Sequence, residues 1–394
     1  MKNYIIHNEW QIIEEGFDPH LNKISESIFS IGNGRMGQRA NFEEVYTGET
    51  LQGNYLAGVY YPDKTRVGWW KNGYPEYFAK VLNATNWIGL NIKVNDKVLD
   101  LNTCEVQEFT RVLDMQKGTL TRKFVAKQTN GNVLEVEATR FCSIVDDEAG
   151  VIKYTITPRN FDGKISIESS LDGDVKNQDS NYDEKFWNEI SAREDGDFVL
   201  LNLETKKTAF WVSSAIQTFI VQAGNDLDLK PIFQKKEKYV AQHFEVAVKK
   251  DQATTIYKYA VNLSSENYKK EELEKSTVQR LKEVVAKGFE KMLSEQANAW
   301  SLKWQNGDVI IEGDVAAQQA IRFNIFQLHQ TYTGEDARLN IGPKGFTGEK
   351  YGGSTYWDTE AYCLPFYLAT APQQVAENLL IYRYNHLEKA IENA

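Results

Sequence analysis

The hydrophobic period of this chain changes once, near Glu266, and the change separates two kinds of predicted structure. Before it, apolar and polar residues alternate with period two in many short runs, such as residues 133–139 and 152–157. Such alternation is typical of half-buried strands. After it, apolar residues including Leu281 and Val284 recur at helical spacing. The sequence therefore predicts a β-rich part followed by a helical part.

Turn signals divide the β-rich part into many short segments. The pair Asn130-Gly131 precedes one alternating run, and Asp162-Gly163 separates two others. Such pairs favour tight hairpin turns between antiparallel strands. Many short strands with few helical patterns between them predict a large antiparallel β-sandwich over residues 1–265.

The residues that follow predict a helical linker over 266–312. The stretch 270–303 is rich in Glu, Lys and Leu, and its apolar residues fall on one helical face. Residues 309–311, Val-Ile-Ile, predict a short strand after the helical pattern.

Residues 313–394 predict the beginning of an all-α domain. Asp314 stands where a helix N-cap is expected, and Pro372 stands where another helix begins. Pro365 lies inside a predicted helix from about 359 to 368 and should kink it. About three helices cannot form a sufficient core, so we expect the chain to be the N-terminal part of a longer protein.

Charge and cysteine content restrict the classes of partner and compartment. The net charge of −10 argues against nucleic acid, which needs a basic surface. No run of about 18 apolar residues indicates a membrane span. The three cysteines, Cys104, Cys142 and Cys363, are odd in number and widely spaced. This pattern favours reduced thiols in the cytoplasm over disulfides or a zinc site.

The residues Gly32-Asn33-Gly34-Arg35-Met36-Gly37 match the spacing of a dinucleotide-binding loop. A dinucleotide site also needs a following helix and a parallel βαβ unit. The surrounding pattern here is antiparallel and contains no such helix. We therefore predict a tight loop between two strands, and such a loop can face a substrate.

No metal site is predicted. Residues 172–177 superficially resemble a calcium loop, but Lys176 stands where an oxygen ligand is required. The five histidines show no metal-ligand spacing.

A glycine-rich stretch at residues 345–360 is the strongest candidate for a functional loop. Four glycines lie within nine residues, which lets the backbone approach another group closely. They are Gly345, Gly348, Gly352 and Gly353.

Trp357 and Asp358 follow these glycines and have the chemistry of a sugar-binding pair. An indole face covers the C–H face of a sugar ring, and a carboxylate accepts hydrogen bonds from two neighbouring hydroxyls. The alternative is that Trp357 belongs to a core and Asp358 is a helix N-cap. The local sequence pattern does not decide between these two interpretations. Asp358 and Glu360 lie two residues apart, so on a helix they point to different sides and form no acid–base pair.

Several stretches together resemble glycoside hydrolase family 65 over essentially the whole chain. Residues 25–37 read SESIFSIGNGRMG, residues 53–65 read GNYLAGVYYPDKT, and residues 68–75 read GWWKNGYP. The run Tyr351-Gly352-Gly353 and the run Trp357-Asp358-Thr359-Glu360 resemble the start of that family's catalytic domain.

The resemblance implies a multidomain β + α fold: an N-terminal super-β-sandwich, a helical linker, an (α/α)6 barrel and a small C-terminal β-domain. Only the first barrel helices would lie in this chain, as a truncated barrel. They would then expose apolar residues such as Ile321, Ile325, Leu328, Leu379 and Leu380.

Within the family, the sequence most resembles members that act on maltose. Relatives acting on kojibiose or trehalose often carry Gly-His-x-Phe before Trp-Asp, where this chain has residues 353–356, Gly-Ser-Thr-Tyr. The implied reaction is inverting phosphorolysis of maltose to β-glucose 1-phosphate and glucose, with inorganic phosphate as co-substrate and no cofactor. The resemblance also implies a homodimer of the full-length enzyme.

The resemblance carries over Trp357 and Asp358 as the pair that binds the non-reducing glucosyl unit. It carries over no catalytic residue, because the general acid and the phosphate ligands are expected beyond Ala394. Residues 1–394 alone are therefore expected to be inactive. Two alternatives stay open: an inverting α-glucoside hydrolase of trehalase or kojibiose type, and a non-catalytic carbohydrate-binding or assembly module.

Overall fold

The structure is a computed structural model that describes residues 4–66, 76–342, 345, 347–349 and 355–392. Two of the stretches used above, residues 68–75 and 351–354, therefore lie outside the described residues, with Gly352 and Gly353 among them.

The regular secondary structure of the described chain before Ser265 is strand, apart from one helix, α1 (Asn22–Ile28). The strands are β1 (Ile5–Ile6), β2 (Gln11–Glu15), β3 (Ile31–Gly32), β4 (Met36–Gln38), β5 (Asn54–Lys64), β6 (Tyr77–Asn83), β7 (Leu90–Val94), β8 (Lys97–Val98), β9 (Glu105–Asp114), β10 (Thr119–Lys127), β11 (Val133–Cys142), β12 (Ala149–Pro158), β13 (Gly163–Asp172), β14 (Trp187–Asp195), β15 (Phe198–Thr205), β16 (Trp211–Gln222), β17 (Asn225–Asp226), β18 (Ile232–Lys236), β19 (Tyr239–Val248) and β20 (Thr254–Ser264).

These strands form three antiparallel sheets in the described part of the chain. The largest has eleven strands in the order β1-β2-β9-β10-β11-β12-β20-β16-β15-β14, with β17 paired to β16. The others have the orders β18-β19-β13-β7-β8 and β3-β4-β5-β6. Phe124 and Val136 of the large sheet share one buried apolar cluster with Ile167 and Tyr61 of the smaller sheets. The predicted antiparallel β-sandwich is confirmed.

The sandwich core also buries a group of charged side chains. Arg122 donates to both Glu43 and Glu44, and Arg140 donates to Glu43. Burial by itself raises the pKa of Glu43, but Arg140 and Arg122 lower it to about 2. The carboxylate is therefore ionised and neutralised by its neighbours, as a charge in a low-dielectric interior must be.

All the regular secondary structure in the described residues after Ser265 is helical. The elements are α2 (Lys270–Lys287), α3 (Phe289–Gly307), α4 (Val315–Thr331), a π-helix (Thr359–Cys363), α5 (Leu364–Thr370), α6 (Gln373–Asn385) and α7 (Leu387–Glu392). No helix in the described ranges is long and apolar enough to cross a membrane.

Helices α2 and α3 cover the outer face of the large sheet. Leu281 and Val284 of α2 pack in one buried cluster with Val151 and Leu263 of that sheet. Trp300 of α3 stacks on Phe326 of α4, with ring centroids 4.5 Å apart. The two helices therefore connect the sandwich to the helices that follow.

The predicted strand at residues 309–311 is wrong, since these residues belong to no strand. The reason is a side chain that takes the place of a partner strand. The amide of Gln318 in α4 donates to Val309 O at 2.8 Å, and its carbonyl accepts from Ile311 N at 2.6 Å.

Of the helix boundaries predicted after residue 313, the N-cap at Asp314 agrees with the structure, whereas the helix at about 359–368 differs from it. The Asp314 carboxylate accepts a hydrogen bond from the Ala317 amide at 2.9 Å, which confirms it as the N-cap of α4. The predicted single helix from about 359 to 368 is instead the π-helix followed by α5. Pro365 lies in the first turn of α5, where a helix does not need its missing N–H.

A third buried cluster holds the later helices together. Tyr367 of α5 and Leu379 of α6 pack with Leu339 and Ile341 from the preceding loop. The expectation that Leu379 is exposed is therefore wrong, and so is the same expectation for Ile325, which packs into the main core. Leu380 is exposed, as expected.

Candidate sugar-binding site

An open cleft of about 670 Å³ lies between α4 and the π-helix. Its walls come from three segments: α4, the loop after it, and the residues from Tyr356 to the end of the π-helix. The lining residues are Asn324, Gln327, Leu328, Thr331, Ile341, Gly342, Gly345, Tyr356, Asp358, Thr359, Tyr362 and Cys363.

The polar wall of the cleft is one face of α4. Asn324, Gln327 and Thr331 are spaced three and four residues apart, so they lie above one another on the helix. Gln330 donates to the side-chain carbonyl of Gln327 at 2.7 Å, and this contact fixes the amide. The sequence analysis did not identify these polar residues, although their helical spacing can be read in the sequence next to the apolar face of α4.

Asp358 lies at the cleft, directly before the π-helix. Asp358 stands at the N-cap position of the π-helix, as the alternative interpretation had it, but its side chain makes no capping hydrogen bond. Among the residues that the structure describes, none forms a hydrogen bond or ion pair with this carboxylate. The carboxylate is exposed, and its oxygens can accept hydrogen bonds from a bound molecule.

Trp357 lies beside the cleft and is 68% exposed. The alternative that it belongs to a core is therefore wrong. Its ring centroid lies 6.0 Å from that of Tyr362, and Tyr362 lines the cleft. The indole itself is not among the lining residues, so the described structure places Asp358 in the cleft and Trp357 next to it.

Glu360 does not line the cleft, in contrast to Asp358. The Arg383 guanidinium donates from Nε to Glu360 Oε1 at 2.7 Å. One carboxylate is thus held in an ion pair with α6, whereas the other lines the cleft.

The loop between β3 and β4, residues 33–35, lies against the end of α4. The amide of Gly34 donates to Gln330 O at 2.8 Å. Gly34 has a φ of +82°, and a Cβ there would lie 2.8 Å from Thr333, so only glycine fits. The predicted tight strand-to-strand loop is confirmed. Gly34 lines a small cavity of about 40 Å³ that shares Thr331, Gly342 and Gly345 with the cleft, and the loop does not line the cleft itself.

Glu349 connects the glycine-rich stretch to the sandwich. Its carboxylate accepts from the Tyr55 hydroxyl at 2.8 Å and from the Asp179 amide at 2.9 Å. Burial raises the pKa of Glu349 above its ordinary value, while these hydrogen bonds lower it. Sequence reasoning missed this residue because its partners are distant in the chain and no local pattern identifies them.

The described residues contain no group of His, Cys, Asp and Glu that could hold a metal ion. The chemistry of the cleft is therefore that of carboxylate, amide and hydroxyl groups beside aromatic rings. This combination suits a polyhydroxylated ring, which has hydroxyls at its edge and C–H groups on its faces.

Two family descriptions match the sequence. Residues 12–302 match the N-terminal domain of glycosyl hydrolase family 65, and residues 322–394 match the central catalytic domain of that family. The Bacillus subtilis maltose phosphorylase is 41% identical over 98% of this chain and 50% of its own length. The Thermoanaerobacter brockii α,α-trehalose phosphorylase is 32% identical over 98% of this chain and 51% of its own.

A solved structure has the same fold. A human-microbiome protein provisionally described as a kojibiose phosphorylase is superposable with a TM-score of 0.90 and 30% sequence identity. The match covers 100% of this chain and 51% of that one. This chain thus spans about half the length of the curated relatives it matches. With the N-terminal domain matched over residues 12–302 and the catalytic domain from residue 322, the chain belongs to glycosyl hydrolase family 65.

Proposed function

We propose that the protein is a disaccharide phosphorylase that cleaves maltose with inorganic phosphate. The products would be β-glucose 1-phosphate and glucose. The observation that carries the proposal is the Asp358 carboxylate, which lines an open cleft next to the exposed indole of Trp357. The 41% identity to a maltose phosphorylase supports the choice of maltose.

In this proposal, the two residues hold the non-reducing glucosyl unit. Asp358 accepts hydrogen bonds from two adjacent sugar hydroxyls, and Trp357 covers a C–H face of the ring. Phosphate attacks the anomeric carbon from the face opposite the leaving glucose, so the configuration inverts. A general acid protonates the leaving oxygen. We place that acid and the phosphate ligands beyond Ala394, because no residue of this chain matches them.

The finer organisation is also part of the proposal. Residues 1–265 form the super-β-sandwich unit, 266–312 the linker, and 313–394 the first helices of an (α/α)6 barrel. The complete enzyme is a cytoplasmic homodimer that needs no cofactor. The odd number and wide spacing of the three cysteines support a reducing compartment.

The test uses the protein expressed from its complete reading frame. It is incubated with maltose, kojibiose or trehalose, each with and without phosphate, and glucose and β-glucose 1-phosphate are measured. We expect equal amounts of both products from maltose, only with phosphate present, and no turnover by residues 1–394 alone. Two glucose molecules per maltose without phosphate would identify a hydrolase. No cleavage of any of the three sugars, with sugar binding retained, would identify a binding module.

A further inference from the structure

We propose that Arg383 is the positioning residue of the segment that carries Trp357 and Asp358. The proposal rests on the function proposed above, because it concerns the same sugar site. Arg383 lies on α6 and does not line the cleft. It acts through the backbone and side chains on both sides of the Trp357–Asp358 pair.

The guanidinium makes three hydrogen bonds to this segment. Nε donates to Glu360 Oε1 at 2.7 Å, and Nη1 donates to Thr355 Oγ1 at 2.7 Å. Nη2 donates to the backbone carbonyl of Tyr356 at 2.5 Å. Two of the acceptors precede Trp357 in the chain and one follows Asp358. The pair is therefore fixed from both sides by one rigid, planar group.

Helix α6, which carries Arg383, is held in place by its own packing and by a hydrogen bond. Val375, Ala376 and Leu379 are buried in the cluster that also contains Tyr367 of α5. The Asn378 amide donates to Gly334 O at 2.6 Å, which ties the same helix to the loop after α4. The position of Arg383 is thus set by packing that does not involve the glycine-rich stretch.

The segment that Arg383 holds has weak local support of its own. Its main-chain bonds, from Thr359 N to Tyr356 O at 3.2 Å and from Ala361 N to Trp357 O at 3.1 Å, are internal to it. The π-helix that follows is a less stable geometry than an α-helix. Trp357 and the Asp358 side chain are exposed, so packing does not fix them. Buried Thr359 donates to Ile341 O at 3.4 Å, and Tyr382 of α6 bonds the Thr355 side chain. Arg383 adds the bonds to Tyr356 O and to Glu360, which lie just before and just after the pair.

Arginine is required because one guanidinium donates to all three acceptors. A lysine carries a single ammonium group and lacks the planar set of N–H donors of a guanidinium. It can therefore keep the ion pair with Glu360 but not all three hydrogen bonds. Arg383→Lys is therefore the informative variant. Glu360→Gln is the conservative one, since an amide oxygen still accepts from Nε.

The first measurement is amide hydrogen exchange, in the protein expressed from its complete reading frame. We expect exchange in a peptide spanning residues 355–363 to become about tenfold faster in Arg383→Lys, since local opening becomes easier. The matched control is Arg280→Lys, an ion-paired arginine of α2 that does not line the cleft. It should leave exchange in that peptide unchanged. Equal exchange in wild type and Arg383→Lys would overturn the proposal.

The second measurement separates positioning from a purely structural role. We expect Arg383→Lys to raise KM for maltose about tenfold, while KM for phosphate and the thermal midpoint stay near those of Arg280→Lys. Glu360→Gln should change KM for maltose about twofold at most. A lower thermal midpoint with unchanged KM would show a structural role and overturn the proposal. If the wild type does not act on maltose, the proposed function has failed, whereas the exchange measurement still decides whether Arg383 holds the segment.

Discussion

The hydroxyl of Tyr55 donates a hydrogen bond of 2.8 Å to the carboxylate of Glu349, 294 residues later in the chain. Tyr55 lies on β5 of the sandwich, and Glu349 lies in the glycine-rich stretch before Asp358. Both groups are buried, so the contact is shielded from water. The sandwich therefore helps to hold the loop that leads to the candidate sugar site.

We predict that Tyr55→Phe destabilises the protein by about 1–3 kcal/mol, because the buried Glu349 carboxylate loses one of its hydrogen-bond donors. The measurement is the free energy of unfolding from urea titrations. The matched control is Tyr77→Phe on β6, where the side chain is exposed. A loss in Tyr55→Phe no larger than in Tyr77→Phe would show that the Tyr55–Glu349 bond contributes nothing.

His329 should make stability depend on pH. It is buried at the end of α4, where burial and the nearby Lys303 charge lower its pKa from 6.5 to about 4. Protonation therefore favours the unfolded chain. The stability that depends on neutral His329 is complete above pH 6.5 and is lost as the pH falls from 6.5 to about 4.

The test compares urea midpoints at pH 7.5 and pH 4.5, about the two ends of that window. We expect the midpoint of the wild type to fall more between these values than that of His329→Gln, which cannot take up this proton. His20→Gln, at an exposed position, is the control and should follow the wild type. An equal fall in wild type and His329→Gln would contradict the prediction.

The proposed sandwich unit, residues 1–265, can be tested by truncation. We expect a chain ending at Ser265 to have a mainly β circular dichroism spectrum. It should also bind a hydrophobic dye more strongly than a chain ending at Gly307, because α2 and α3 cover Val151 and Leu263 on the outer face of the large sheet. A mainly helical spectrum would refute the independent sandwich, and equal dye binding would refute the covering role of the helices.

Local signals predicted the elements well and their connections poorly. The alternation in β11 and β12 and the Asp314 cap depend on neighbouring residues, so the sequence reveals them. The predicted strand at 309–311 failed because Gln318, seven residues beyond Ile311, bonds its backbone. A period-two pattern cannot show which group will satisfy a backbone N–H.

The sequence also predicted those residues of the candidate site that have a local pattern, and it did not predict those that act through distant contacts. Trp357 and Asp358 could be named because an aromatic–acid pair after a glycine-rich loop has its own chemistry. Arg383 and Glu349 could not, because their roles arise from contacts that the fold makes across 23 and 294 residues. Groups that support a site rather than line it leave no local pattern of their own.

The measurement that tests the proposed sugar site most directly is the kinetics of maltose phosphorolysis in Asp358→Asn, made in the protein expressed from its complete reading frame. We predict an unchanged thermal midpoint and a loss of about 1.5–3 kcal/mol of transition-state stabilisation, or about 10- to 150-fold in kcat/KM, as for a charged hydrogen bond. Glu377→Gln, at an exposed carboxylate of α6, is the control and should match the wild type. Unchanged kcat/KM for maltose in Asp358→Asn would remove Asp358 from the sugar site and contradict the proposed function of the cleft.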